Sequence, residues 1–193
     1  MVVVFEFSVM RCQPLRRALN YKDSSVEIKE INSTSSVSVQ LNSLLIDCVE
    51  SGASVGFLTP IDREEIKSYW SEVESDLKSG KRRLFIAQDE NAIIGAVQLS
   101  LCSKANGLHR GEVEKLMVKT SARGQGVSKK LMSLMEKTAL ELSLQLLVLD
   151  TRVGDVASLL YRSIGYIEAG QIPEFARSSS GKLEATVYFY KQL

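Results

Sequence analysis

The segment Lys119-Thr120-Ser121-Ala122-Arg123-Gly124-Gln125-Gly126-Val127-Ser128-Lys129-Lys130-Leu131 carries residue types suited to holding an anion. A strand pattern precedes it and a helical pattern follows. Glycines at such a junction let the backbone approach a charged group closely, and the free amides that open a helix favour negative charge. Arg123 adds a cation, so a diphosphate is the ligand this turn suits. The spacing approaches the dinucleotide fingerprint Gly-x-Gly-x-x-Gly, with Lys129 in place of the third glycine. Asp150 ends the next strand 24 residues after Gly126, near where a dinucleotide fold places its ribose acid. Against that reading, the motif sits in mid-chain after a hairpin, and a Walker loop is absent.

Other chemistries have less support. His109 is the single histidine, which leaves it no partner for a His-rich metal site. It is a candidate base, with a surface loop position as the plainer expectation. No Gly-x-Ser-x-Gly elbow accompanies it. Cys12, Cys48 and Cys102 are odd in number, widely spaced and without a Cys-x-x-Cys, so neither a disulfide framework nor a zinc spacing is present, and a reducing compartment is expected.

The 193 residues suit one domain, and 45% hydrophobic content suffices for a buried core. With 24 basic and 23 acidic side chains, the net charge of +1 argues against a dedicated nucleic-acid binder. No apolar stretch reaches the roughly 20 residues that span a bilayer. Met1 to Met10 is apolar but interrupted by Glu6, which makes a poor signal peptide. The basic stretch Met10 to Arg17 has a faint transit-peptide character. A variable extension over residues 1–25, ahead of one domain over 26–193, is the plainer expectation.

The elements that must position the turn follow from periodicity. Val26 to Ile31 alternates as a strand. Ser33-Thr34-Ser35-Ser36 offers capping groups to a helix bearing Leu41, Leu44, Leu45, Cys48 and Val49. A loop over 52–60 precedes a second helix, opened by Asp62 with Glu65 and closed at Gly80. Strands are expected at Leu84–Ala87, Ile93–Leu99 and Val113–Val118, the first two joined by Asp89-Glu90-Asn91. The helix after the glycine turn carries Val127, Leu131, Leu134, Met135 and Leu142. The apolar run Leu144–Leu149 reads as a strand buried on both faces. A helix capped by Asp155, then strands at Tyr166–Ala169 and Thr186–Tyr190, close the chain. The predicted class is α/β, with a mixed, mostly antiparallel sheet covered by helices on both faces.

In this setting the sequence resembles the GNAT family of N-acetyltransferases. Val113-Glu114-Lys115-Leu116-Met117-Val118 matches the family's strand, and Arg123, Gly124, Gly126, Ser128 and Leu131 match its Arg-Gly-x-Gly-x-small turn. Ala157, Tyr161, Gly165 and Tyr166 match a second family element. Ser128 stands where the family usually has Gly or Ala, and Gly154 where it usually has Asn. Segments 52–57, 98–102, 106–108, 115–118 and 149–151 are similar to the tabtoxin-resistance acetyltransferases, which acetylate the amine of a β-lactam amino-acid toxin.

The resemblance implies a single GNAT-like domain that uses acetyl-CoA, without a metal, to acetylate the amine of a small amino-acid-like acceptor by direct attack in a ternary complex. It assigns the diphosphate to Arg123, Gly124, Gln125, Gly126, Val127 and Ser128, and the thioester carbonyl to the amide near Met117 and Val118. Tyr161 becomes the candidate acid for the CoA sulfur. Glu112 and Asp150 are the candidate bases, directly or through water, and Glu114 is a third on the same strand face. A soluble cytoplasmic monomer or homodimer, with neither nucleic acid nor membrane as partner, is the expected setting. A non-catalytic CoA- or nucleotide-binding module on the same fold is the alternative, and an NAD-dependent oxidoreductase is a third reading.

Overall fold

The computed structural model describes residues 26–90 and 92–193. The extension expected over residues 1–25 and the turn residue Asn91 lie outside the described residues. The chain order is β1 (Glu27–Ile31), α1 (Ser38–Glu50), α2 (Arg63–Lys78), β2 (Arg82–Asp89), β3 (Ala92–Leu101), β4 (Arg110–Val118), α3 (Val127–Glu141), β5 (Leu146–Arg152), α4 (Ala157–Ser163), β6 (Ile167–Arg177) and β7 (Leu183–Gln192). One sheet holds the strands in the order β1-β2-β3-β4-β5-β7-β6. Every adjacent pair is antiparallel except β4 with β5. The expected α/β class, mixed sheet and element order are those observed.

Alternation along the central strands divides the core into two layers. Leu84, Ile86, Ala96 and Met117 pack with Leu41, Leu45, Ile66 and Trp70 of α1 and α2. Phe85, Ala87, Val97 and Leu99 pack on the other side with Leu131, Met135 and Ala139 of α3. Gly95 lets α3 come close: a Cβ there would stand 3.0 Å from both Leu131 and Val127. That contact seats the start of α3 directly beside the end of β4.

The feature that makes room for a ligand is a divergence of β4 from β5. These strands pair only at Arg110 to Glu112 with Leu146 to Val148. The β3–β4 register then shifts between Ala96 and Gln98, and Lys115 adopts a left-handed φ of 52°. Such a bulge bends its strand and strengthens its twist. Meanwhile β5 stays paired with β7 through Arg152, so β4 leaves and β5 does not.

Three local expectations need correction. Leu144–Leu149 is not a strand buried on both faces: β5 starts at Leu146, Leu147 and Leu149 are buried, Leu146 and Val148 are half-buried, and Asp150 is exposed. The reason is that α1 packs on β3 and β4 and α2 on β2, which leaves that face of β5 bare. The serines before α1 do not cap it, because its N-cap is Val37 without a side-chain bond. Instead the Thr34 amide and hydroxyl donate to Glu74 of α2, at 2.6 and 2.8 Å. Strand β6 runs on to Arg177. Gly170 and Pro173 blur its pattern, and its place at the sheet edge tolerates both.

Candidate active site

The glycine turn is held from below by α1. Asp47 accepts from the Thr120 amide and hydroxyl, each at 2.7 Å. Gly124 and Gly126 both take left-handed φ, 76° and 79°, and Gly126 is the N-cap of α3 with no side-chain cap. The Lys130 amide donates to the Gly126 carbonyl, so the amides of Val127 and Ser128 precede the first helical bond. A Cβ on Gly124 or Gly126 would meet no protein atom within 4 Å. The glycines are needed there for their conformation, and the space beside them is open to a ligand.

Arg123 differs from the expectation of a free cation. Its Nε donates to the Val118 carbonyl (3.2 Å) and its Nη2 to Ser51 Oγ (2.7 Å), which ties the turn to β4 and to the end of α1. The Gln125 side chain folds back to donate to the Ser121 carbonyl. Of the residues singled out as catalytic or cofactor-binding, all but Gln125 and His109 line one cleft of about 820 Å³. Met117 presents only backbone there, since its side chain is buried in the α1/α2 layer.

Backbone donors continue along the cleft floor. Lys119 donates its amide to the Ile94 carbonyl, so by antiparallel alternation the Val118 amide turns away from β3. It faces the gap that β5 has left.

The acids lie on the uncovered face. Glu112 pairs with Val148 across the β4–β5 ladder, and Asp150 pairs with Tyr188 across β5–β7. Asp150 lies two residues beyond Val148, so period two sets Glu112, Asp150 and Tyr188 on one face, with Asp150 and Tyr188 one row along from Glu112. Burial, then Glu114 and Asp150, push the Glu112 carboxyl up, opposed by Arg110 and Arg82. Asp150 accepts from Thr186 Oγ1 at 2.7 Å. Glu114 lines the cleft but is engaged by Arg82 at 3.0 Å. His109 is exposed and does not line the cleft; its carbonyl receives the Gln145 and Leu146 amides.

Tyr161 of α4 is buried, with its ring 5.8 Å from those of Tyr166 and Phe189. Its hydroxyl makes no hydrogen bond among the described residues. Burial, then Asp155 and Asp150, push the phenol above its ordinary range. Opposite it, the 52–57 loop both staples the helices and lines the cleft. Phe57 is buried and edge-on to Tyr69 at 5.3 Å, while Ser54, Gly56 and Leu58 face the opening.

Two further residues belong to this site. Lys115 lines the cleft beneath Phe57 and Tyr69. Tyr188 neighbours both acids, and burial with Asp150 and Glu112 raises its phenol. The bulge and the β5–β7 register that place them leave no local mark in the sequence. Period two did identify Glu112 and Glu114 as sharing a face.

A diverging strand pair, an uncapped glycine turn and a carboxylate pair now stand in one cleft. The Acetyltransferase (GNAT) family model matches residues 49–166. The chain belongs to the GNAT family of acetyltransferases. Its structure is similar to a ribosomal-protein-alanine N-acetyltransferase from Brucella melitensis, with a TM-score of 0.73 at 20% identity over 86% of this chain and 99% of that one. It is also similar to a putative acetyltransferase from Salmonella typhimurium solved with its cofactor acetyl-CoA, with a TM-score of 0.72 at 15% identity over 88% and 95%. A GNAT protein from Kribbella flavida gives a TM-score of 0.70 at 19% identity over 86% and 98%. This GNAT chain is thus an N-acetyltransferase, from a family whose cosubstrate is acetyl-CoA. The sheet removes the dinucleotide-fold reading: β4 and β5, which flank the turn, are its single parallel pair among the described strands, whereas that fold needs a mostly parallel sheet.

Proposed function

We propose that this GNAT domain transfers an acetyl group from acetyl-CoA to the amine of a small amino-acid-like acceptor, by direct attack in a ternary complex. The observation that carries the reading is the cleft where β4 leaves β5, with free backbone donors at one end and two carboxylates at the other. The residues fit a diphosphate: the amides opening α3 lack protein partners, and Gly124 and Gly126 leave the adjoining space clear. Acetyl-CoA supplies the activated acyl group and a thiolate leaving group.

The chain's own residues then have distinct tasks. Backbone amides of Gly124 to Ser128 bind the diphosphate, that of Arg123 being donated to the Thr120 carbonyl. The Val118 amide donates to the carbonyl oxygen as charge develops on it. Glu112 takes the proton of the attacking amine, and Asp150 is the second candidate, either of them directly or through water. Tyr161 faces the leaving sulfur. A phenol pushed above its ordinary range is a weaker acid than a thiol near 8.5, about the usual value, so Tyr161 stabilises the sulfur by donating a hydrogen bond to it. Direct attack is favoured because the Cys48 thiol is buried, pushed up by desolvation and set against the Val118 carbonyl at 3.6 Å. An acetyl relay through that thiol would need its thiolate.

Likeness to the tabtoxin-resistance enzymes supports the acceptor class, since segments 52–57 and 115–118 of that likeness line the cleft. We assign the catalytic unit to residues 26–193, acting in the cytoplasm as a monomer or homodimer on small molecules, with residues 1–25 as an extension. The free thiols of Cys48 and Cys102 accord with a reducing compartment. No helix among the described residues is long and apolar enough to cross a membrane. The test is calorimetric titration with acetyl-CoA against an NAD control, followed by thiol release in the presence of candidate amines. Saturable binding of acetyl-CoA alone with amine-dependent thiol release is expected. Absence of binding would overturn the proposal.

A further inference from the structure

Lys115 is the cleft cation that the protein leaves without a hydrogen-bond or ion-pair partner among the described residues. Arg123 donates to Ser51 and Val118, Arg152 pairs with Asp155 and Glu184, and Arg177 donates to the Gly181 carbonyl. Lys115 has no ion pair or hydrogen bond among the described residues. Of the carboxylates near it, Glu114 is paired with Arg82, and Asp150, which accepts from the Thr186 hydroxyl, makes no ion pair with Lys115. Its Nζ lies 5.9 Å from the Phe57 ring centre and 5.8 Å from that of Tyr69. A Cβ on Gly56 would stand 2.8 Å from Nζ, so the loop backbone passes directly over the ammonium.

Those surroundings are costly for a cation. Ring faces attract the charge but accept none of its three N–H donors well, and burial lowers its affinity for a proton. The backbone that aims it is strained too, because φ of 52° is unusual for a residue with a side chain. A lysine held in this way, lining the cleft and lacking an anion, is completed by an anion from outside.

We propose that Lys115 binds a carboxylate of the acceptor, so that the enzyme selects amines that also carry a carboxylate. The inference rests on the acetyltransfer reading above and deepens it. Glu112 and Asp150 draw the amine, Lys115 draws the acid, and the two charges of an amino acid meet opposite charges in one cleft. Phe57 and Tyr69 close over the ammonium and keep water from competing with the ion pair. Lys115 is then a specificity-determining residue.

The experiment uses the full chain saturated with acetyl-CoA. Free L-amino acids and dipeptides are compared with their carboxamides and with polyamines, for the wild type, Lys115→Met and Lys115→Arg. The wild type should favour acid over carboxamide by about 10–100-fold in kcat/KM, the worth of a charge-assisted contact. In Lys115→Met that ratio should fall towards one, mainly through KM, and Lys115→Arg should restore part of it. A wild-type ratio near one overturns the inference whether or not either variant folds. So does turnover confined to amines without a carboxylate, or turnover of no amine in the panel. Acetyl-CoA binding, measured in parallel, separates the failures: if it is intact only the carboxylate inference falls, and if it is absent the acetyltransfer reading falls as well.

Discussion

The two ends of the cleft are built from different material. The end assigned to the diphosphate is mostly backbone, drawn from one continuous stretch between Met117 and Ser128. The end assigned to the acceptor is mostly side chains: Phe57, Glu112, Lys115 and Asp150 line it, with Tyr69 and Tyr188 packed behind them, on five separate elements or loops. A ligand common to a family can be held by amides, which every sequence possesses, provided glycines shape the turn. An acceptor particular to one member needs particular side chains. The first end should therefore fail through conformation and the second through charge.

The largest expected effect tests the acceptor end. Glu112→Gln removes the proposed base but keeps its shape, and kcat/KM should fall by about 10²–10⁴. The pH profile carries the sharper information. Burial, Glu114 and Asp150 all favour protonated Glu112, so the base is lost below a midpoint displaced upward from ordinary carboxylates. The wild-type rate should climb with pH through that displaced limb, and the limb should vanish in Glu112→Gln. If it persists there and disappears in Asp150→Asn, the roles of the two acids are exchanged.

Next in size is Gly126→Val at the other end. A β-branched residue at φ 79° is strained by roughly 1–3 kcal/mol, and no protein atom lies within 4 Å of the Cβ it adds. Acetyl-CoA affinity should drop about 10–100-fold, with the acid-to-carboxamide preference of residual turnover retained. Loss of both would mean that the two ends are not separately built.

The same contrast explains what the sequence disclosed. Glycines at 124 and 126 between a strand and a helix announce an anion turn because the physics is local: left-handed φ and open amides. Element order was legible for a similar reason, since Leu84–Ala87 and Ile93–Leu99 are apolar on both faces and demand two helical layers. The acceptor end depends on register. Which residue faces Asp150 on β7 follows only from the β5–β7 pairing, and the exit of Lys115 into the cleft follows from a bulge without a glycine to mark it. The half-bare face of β5 is not legible in Leu144–Leu149, because apolar composition does not say where a covering helix stops. The tether of Arg123 is equally illegible, because its partners, Ser51 and Val118, are distant or backbone groups.

Tyr161→Phe should have a smaller effect, about tenfold in kcat, the worth of one hydrogen bond to a charged leaving group. The phenol sits above its ordinary range and keeps its proton throughout the working range. Its removal should therefore lower the rate uniformly, without altering the pH limb set by Glu112. A change in that limb would make Tyr161 a titrating acid and bring leaving-group protonation back into the mechanism.

Asp47→Asn probes how the backbone end is held, and its effect should be the smallest. Asp47 accepts both the amide and the hydroxyl of Thr120. An asparagine retains one acceptor but sets an amide group against the second donor. Loss of one such bond costs about 0.5–1.5 kcal/mol, which predicts acetyl-CoA binding weaker by about 3–10-fold and a Tm lower by roughly 2–4 °C. Asp47 lies on α1, on the far side of the turn from the acids, so the acceptor KM should stay within about twofold. An acceptor KM that moved as far as the acetyl-CoA Kd would show that α1 couples the two ends, with Ser51 and Arg123 as the route, since Ser51 follows α1 directly and Arg123 bridges it to β4.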